Sequence, residues 1–178
     1  MRIKMVKKLP QILTEGEALK LFQQTWNPSH CMQFKLMFYC GLRVAEMLAL
    51  TVDNIDLKQQ LLKVVSGKGS KDRLVPIPLP MVQALKEYIG NSGIKEGRLF
   101  TTSPRNTEKI LERISLKVLG KKIHPHTLRH AYGTLVYEKT HDIHLVQGLL
   151  GHTSIATTQI YTHLSTDYKK KGIKDVWG

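Results

Sequence analysis

Tyr161 lies near the C-terminus, within Thr158-Gln159-Ile160-Tyr161-Thr162-His163. A phenol has a pKa of about 10 and attacks poorly at neutral pH unless nearby cations hold its phenolate; otherwise such a tyrosine serves in packing. The chain offers those cations at several positions. The densest cluster is His124-Pro125-His126-Thr127-Leu128-Arg129-His130. Pro125 suits the first turn of a helix, which sets His126 and Arg129 one turn apart on one face near the helix start. An imidazole, a permanent cation and the free N–H groups of a helix start together suit an anion. Arg43 follows Gly41-Leu42, with Glu46 three residues on. That spacing allows an Arg–Glu pair, worth only a few tenths of a kcal/mol on a surface, yet the stretch around Arg43 is apolar and a guanidinium there needs a partner. Lys68 sits between Gly67 and Gly69 in Ser66-Gly67-Lys68-Gly69-Ser70-Lys71-Asp72-Arg73. This is either a solvated basic turn or a finger that carries an ammonium group to a phosphate or a leaving oxygen. The GxxxxGK[ST] spacing of a nucleotide-binding loop is missing. Gly151-His152 closes another helical stretch, nine residues before Tyr161. Clustered histidines also bind zinc, but neither HExxH nor Cys-x-x-Cys occurs, and no metal site is expected.

The bulk composition agrees with an anionic partner. The chain has 178 residues, enough for one domain, and 42% are apolar, enough for a core. Lys and Arg number 27 against 14 Asp and Glu, a formal charge of +13, which favours a polyanion such as nucleic acid. Cys31 and Cys40 fall in one helical stretch, roughly 13 Å apart by helical rise, and read as free thiols in a reducing cytoplasm. No apolar run reaches the ~20 residues of a membrane span, and no signal-peptide core begins the chain.

The elements that must position these side chains follow from the pattern. Thr14-Glu15-Gly16-Glu17 is a capping box opening a helix to about Trp26, with Ala18, Leu19 and Phe22 inward. Asn27-Pro28-Ser29 ends it and caps a very apolar helix over Cys31 to Tyr39. After Gly41, the spacing of Val44, Met47 and Leu48 predicts a short third helix. Ile55 to Leu57, Leu61 to Ser66 and Leu74 to Ile77 read as a three-stranded antiparallel meander, with the Lys68 turn between the last two strands. Pro76, Pro78 and Pro80 end the sheet and start a helix through Tyr88, and Asn91-Ser92-Gly93 is expected to be a loop. Further helices are predicted over 104–119, 127–139, 143–150 and 155–162, followed by a lysine-rich tail from Ser165 to Gly178. The expected class is α+β, mainly helical, with one small sheet.

Taken in order, Arg43, Lys68, His126-x-x-Arg129, Gly151-His152 and Tyr161 closely resemble the signature of the tyrosine recombinases, the phage integrase family. Gly41-Leu42-Arg43-Val44-Ala45-Glu46-Met47-Leu48-Ala49-Leu50 resembles the first arginine box. Gly67-Lys68-Gly69 with Arg73-Leu74-Val75-Pro76 looks like the Xer-type lysine hairpin. His126-Thr127-Leu128-Arg129-His130, and Leu150-Gly151-His152 continued through Tyr161, resemble the second arginine and nucleophile boxes. Any one box is weak, but their joint occurrence in the correct order is specific. The resemblance spans about residues 9 to 165.

The resemblance implies the tyrosine recombinase catalytic-domain fold and a site-specific recombinase or integrase. In such an enzyme Tyr161 attacks the scissile phosphate, forming a 3′-phosphotyrosine and releasing a 5′-hydroxyl. Arg43 and Arg129 would clamp the nonbridging oxygens and Lys68 would protonate the leaving oxygen. His126 would assist proton transfer and phosphate binding, His152 would hydrogen-bond the phosphate, and Glu46 would orient the arginines from behind. No metal, nucleotide or other cofactor is implied. The implied partners are double-stranded DNA, further copies in a homotetramer on DNA, and a partner or accessory recombinase subunit, all in the cytoplasm. Residues 1–178 read as a single catalytic domain without the family's N-terminal core-binding domain, and 165–178 as a tail of the kind that docks on neighbouring subunits or touches phosphates. The same residues would serve a type IB topoisomerase-like relaxation of DNA, and a non-catalytic DNA-binding accessory protein is the reading from another class.

Overall fold

The computed structural model describes residues 13–65, 72–151 and 166–177. The expected cap opens it: the Thr14 hydroxyl accepts from the Glu17 N–H at 3.3 Å, and the Glu17 carboxylate accepts from the Thr14 N–H at 3.0 Å. Helix α1 (Glu15–Gln23) buries Ala18, Leu21 and Phe22, an i, i+3, i+4 set. Leu19 falls outside that stripe and is exposed, contrary to the sequence expectation, and the helix stops before Trp26, which stands in solvent.

Helix α2 (Pro28–Tyr39) is the axis of the core. The Asn27 side chain accepts from the His30 N–H at 3.0 Å and Pro28 occupies the first turn. Met32, Phe34, Leu36, Met37, Phe38 and Tyr39 are all buried, so the helix is apolar around its circumference. Such a helix must be wrapped on every side. α1, the short α3 (Val44–Ala49), α4 (Leu79–Ser92), α5 (Pro104–Leu119) and α6 (Pro125–Thr140) supply the wrapping. The buried Gln33 meets its polar needs locally, accepting from the Thr107 hydroxyl at 2.9 Å and donating to Ser29 at 3.2 Å. Cys31 and Cys40 are both free thiols.

The sheet is the expected meander. Strands β1 (Ile55–Asp56), β2 (Leu61–Val64) and β3 (Arg73–Pro76) pair antiparallel in the order β1-β2-β3, with Leu62 opposite Val75 and Val64 opposite Arg73. Leu62, Val64 and Val75 turn into the core. The third strand begins at Arg73, one residue earlier than expected. Helix α4 runs on to Ser92 and ends at Gly93, whose φ of +69° makes it a left-handed stop, so of the expected Asn91-Ser92-Gly93 loop only Gly93 lies outside the helix.

The tail is the largest departure. Residues Thr166–Trp177 form a helix, α8, that lies against α6, β3 and α7 (Ile143–Leu150) of its own chain. Ile173 and Val176 join Tyr132, Val136, Leu145, Val146, Leu149 and Leu150 in a second apolar cluster. Trp177 stacks on Tyr132 with ring centroids 5.6 Å apart and meets Tyr39 edge-on at 5.7 Å, tying this cluster to α2. The helix expected over 155–162 lies outside the described residues.

Candidate active site

Three arginines converge on one carboxylate. The chain leaves α2 through Gly41, whose φ of +62° is open to glycine at little cost, and α3 then starts with Arg43 as its N-cap. Glu46, in the first turn of α3, reaches back to accept from the Arg43 backbone N–H at 2.8 Å. Its other oxygen accepts from Arg43 Nη1, also at 2.8 Å, so the pair expected from the i, i+3 spacing forms. Glu46 is not on an open surface, however. Arg73, at the start of β3, brings Nη1 to Glu46 Oε1 at 2.7 Å and Nη2 to Oε2 at 2.9 Å. Arg129, on the second turn of α6, lies with Nη1 3.6 Å from Glu46 Oε2.

Arg129 is buried and held on both sides by main chain. Nη1 donates to the Gly41 carbonyl and Nη2 donates to the Leu150 carbonyl at 2.6 Å, at the C-terminal end of α7 where the helix dipole favours a cation. Three elements far apart in sequence are thereby locked together at one guanidinium. Arg43 differs: its side chain is 43% exposed, whereas those of Arg73 and Glu46 are 10% exposed. Arg43 thus faces outward from a cluster otherwise closed off.

The electrostatics are those of an anion site. Burial alone would raise the Glu46 carboxyl, but the hydrogen bonds from Arg73 and from the Arg43 N–H, with the surrounding guanidinium charges, outweigh it and hold its pKa at about 2. Burial, with Arg43 next in effect, lowers Arg129 to about 10, which still leaves it cationic at neutral pH. The Lys169 ammonium of α8 is lowered by burial and by Arg73. One carboxylate among three guanidiniums leaves an excess of positive charge, and an oxyanion entering beside Arg43 would offset it.

Of the residues singled out from sequence, Arg43, Glu46 and Arg129 are brought together. His126 stands exposed on the first turn of α6, one turn before Arg129 as its spacing requires. Lys68, His152 and Tyr161 lie outside the described residues; β3 begins just beyond the Lys68 segment, and α7 ends at Leu150, just before His152. Arg73 is the residue sequence reasoning missed as a site member. Its signal was its place in Arg73-Leu74-Val75-Pro76, the flank of the lysine-hairpin motif, which was read without a role for the arginine. His124 turns to α5, with Nδ1 3.0 Å from Glu112 and 3.6 Å from Glu108. These three are the described residues whose donor atoms cluster closely enough to share a metal, and Glu108 and His124 are exposed.

Comparison with known proteins gives the relatives of this chain. The chain is 36% identical to the tyrosine recombinase XerA of Pyrococcus furiosus over 96% of its own length and 63% of that protein. It is 34% identical to the tyrosine recombinase XerC of Thermodesulfovibrio yellowstonii over 91% of its length and 60% of that protein. It therefore spans less than two thirds of these curated relatives. The fold superposes on the crystal structure of XerA recombinase with a TM-score of 0.76 at 32% identity, covering 92% of this chain and 64% of that one. The XerH site-specific recombinase bound to its difH substrate before cleavage gives a TM-score of 0.69 at 28% identity, covering 92% and 53%. The integrase of mycobacterium phage Brujita, at 22% identity, shares the fold with a TM-score of 0.80 over 99% of this chain and 61% of that one. The pattern of the phage integrase family matches residues 7–167, and the chain belongs to that family, the tyrosine recombinases.

Proposed function

We propose that this chain is the catalytic domain of a site-specific DNA recombinase that breaks and rejoins strands through a 3′-phosphotyrosine on Tyr161. The observation that carries the reading is the convergence of Arg43 and Arg129 on Glu46, with Arg43 left open to solvent and the cluster short of negative charge. Such a site suits a phosphodiester. Attack builds negative charge on the nonbridging oxygens, and two guanidiniums neutralise it bidentately without changing protonation state.

In the proposed reaction the Tyr161 oxygen attacks phosphorus as its proton passes to a base, and His126 assists that transfer. The P–O5′ bond breaks and the departing oxygen takes a proton from Lys68. His152 donates to a nonbridging oxygen. The phosphotyrosine ester conserves the energy of the broken bond, so a 5′-hydroxyl reverses the step without ATP. The arginines and the lysine supply the positive charge that the transition state needs, and the reaction as written asks for no metal ion. The partners are double-stranded DNA and further subunits assembled on it as a homotetramer, with a second recombinase or accessory subunit in reach. XerH, solved on its difH substrate, supports duplex DNA as the ligand. No described helix is long and apolar enough to cross a membrane, and the proposed place of action is the cytoplasm.

Strand exchange tests the proposal. A labelled duplex carrying the recombination site would be mixed with a longer unlabelled copy in EDTA. Transfer of label to the longer product supports recombination, whereas relaxation of supercoiled plasmid with no transfer would show a topoisomerase-like enzyme instead.

A further inference from the structure

The Arg73 side chain is nearly closed off from solvent, and the lysine-hairpin motif that it flanks gives it no role. Both of its terminal nitrogens are committed to the two oxygens of Glu46, at 2.7 and 2.9 Å, and the side chain is only 10% exposed. Its Nε is buried with no hydrogen-bond partner among the described residues. Its stem lies flat against the end of α7: a Cβ added at Gly151 would fall 2.9 Å from Arg73 Cδ and 3.1 Å from Nε. Burying a guanidinium with an unsatisfied N–H is costly, and for stability alone an apolar side chain of similar volume would do as well or better. The arrangement makes sense as a device that fixes a geometry.

That geometry is the carboxylate of Glu46. Oε1 receives Arg43 Nη1 and Arg73 Nη1; Oε2 receives the Arg43 backbone N–H and Arg73 Nη2, and faces Arg129 Nη1. Arg73 is thus the one guanidinium among the described residues that bonds both oxygens of Glu46. It sets the plane of the carboxylate against which the other two guanidiniums are aligned. We propose that Arg73 is a positioning residue for the phosphate clamp, acting through Glu46 on Arg43 and Arg129 and touching neither the phosphate nor the leaving group. This inference rests on the recombinase reading and adds a member to its machinery. Lysine cannot replace it, because an ammonium is a single point charge without the planar fork.

The test uses the full chain and nicked DNA with three versions of the scissile linkage. One is the natural phosphodiester. One is a methylphosphonate, whose missing charge removes most of the need for a clamp. The third is a 5′-bridging phosphorothiolate, whose sulfur leaves without a proton. Covalent adduct formation would be timed for wild type, Arg73→Gln, Arg73→Lys, Glu46→Gln and the double variant Arg73→Gln/Glu46→Gln, with thermal unfolding recorded alongside. Both Arg73 variants are expected to be folded and slower on the phosphodiester by roughly 10- to 100-fold, the scale of a clamp misplaced by about 1 Å. The methylphosphonate should close most of that gap, the phosphorothiolate should not, and the double variant should be no slower than Glu46→Gln alone. Wild-type rates in the variants, an equal loss on all three linkages, or rescue by the sulfur leaving group would overturn the inference while leaving the recombinase reading intact. A wild type that forms no adduct on any linkage would overturn that reading, and the inference with it.

Discussion

Gly41 and Tyr132 are packed face to face, and the contact leaves no room for a side chain between them. A Cβ at Gly41 would lie 2.5 Å from Tyr132 Cδ1 and 2.7 Å from Cε1, and the backbone there is left-handed at φ +62°. The carbonyl of the same glycine accepts from Arg129, so this point of closest approach also sets where α2 hands the chain to the arginine cluster. Gly41→Ala is expected to destabilise the fold by about 2–4 kcal/mol, combining left-handed strain with overpacking against a rigid ring. Urea denaturation checks it, and the same variant should lose DNA cleavage beyond what its stability predicts. A change under about 0.5 kcal/mol, the ordinary range for a surface substitution, would show that the contact can relax.

Glu46 makes part of the stability depend on pH. Its carboxyl drops from an ordinary 4.5 to about 2 in the folded chain, because the arginines and the Arg43 N–H outweigh the cost of burial. A lowered folded pKa means stability that is fully present above about 4.5 and is lost as pH falls toward 2. The stake is on the order of 3 kcal/mol. Glu46→Gln should therefore be less stable than wild type at pH 7, and the difference should shrink steadily between pH 4.5 and 2. Parallel curves for the two proteins across that interval would contradict the arginine-cluster electrostatics.

Much of the local structure was legible because it is decided locally. The Thr14–Glu17 box, the Asn27-Pro28 cap and the alternation through Leu62, Val64 and Val75 need only near neighbours, and each forms where expected. The failures belong to tertiary context. Leu19 and Leu21 are equally apolar, and only the packing of α1 decides that Leu21 is inside. The tail of Thr166–Trp177 carries three lysines in a row and reads as a segment that docks on neighbouring subunits or touches phosphates, whereas Ile173, Val176 and Trp177 pack against α6 and α7 of their own chain. At the site, the i, i+3 relation announced Arg43 and Glu46, whereas Arg73 meets Glu46 across 27 residues, a distance no helical or strand period spans.

The docking of α8 on its own chain should depend on Trp177. Its ring stacks on Tyr132 with an interplanar angle of 16°, and Gly172 sits so close to Leu145 that a Cβ there would overlap the leucine. Trp177→Ala is expected to weaken docking by about 2 kcal/mol through lost apolar burial and ring contact. Hydrogen exchange would then quicken at the amides of 166–177 and stay unchanged in α2. Unchanged protection of α8 would mean that Ile173 and Val176 hold it unaided.

A formal charge of +13 predicts strongly salt-dependent DNA binding. Each neutralised phosphate should add about 0.9 to the slope of log affinity against log salt, so affinity should fall at least ~1,000-fold between about 50 and 200 mM salt. Lys68→Ala should lower the slope by about 1. A flat response would rule out the phosphate-centred interface.

The central claim is a covalent bond between DNA and Tyr161, and the most direct measurement is a suicide-substrate assay in EDTA. Nicked DNA that sheds its 5′-hydroxyl fragment after cleavage would be incubated with wild type and with Tyr161→Phe, then run on a denaturing gel. The account predicts a chelator-resistant protein–DNA adduct with wild type, its linkage mapped by mass spectrometry to the Tyr161 peptide, and none with the variant. An adduct that persists in Tyr161→Phe, or no adduct across varied DNA sites, would contradict it.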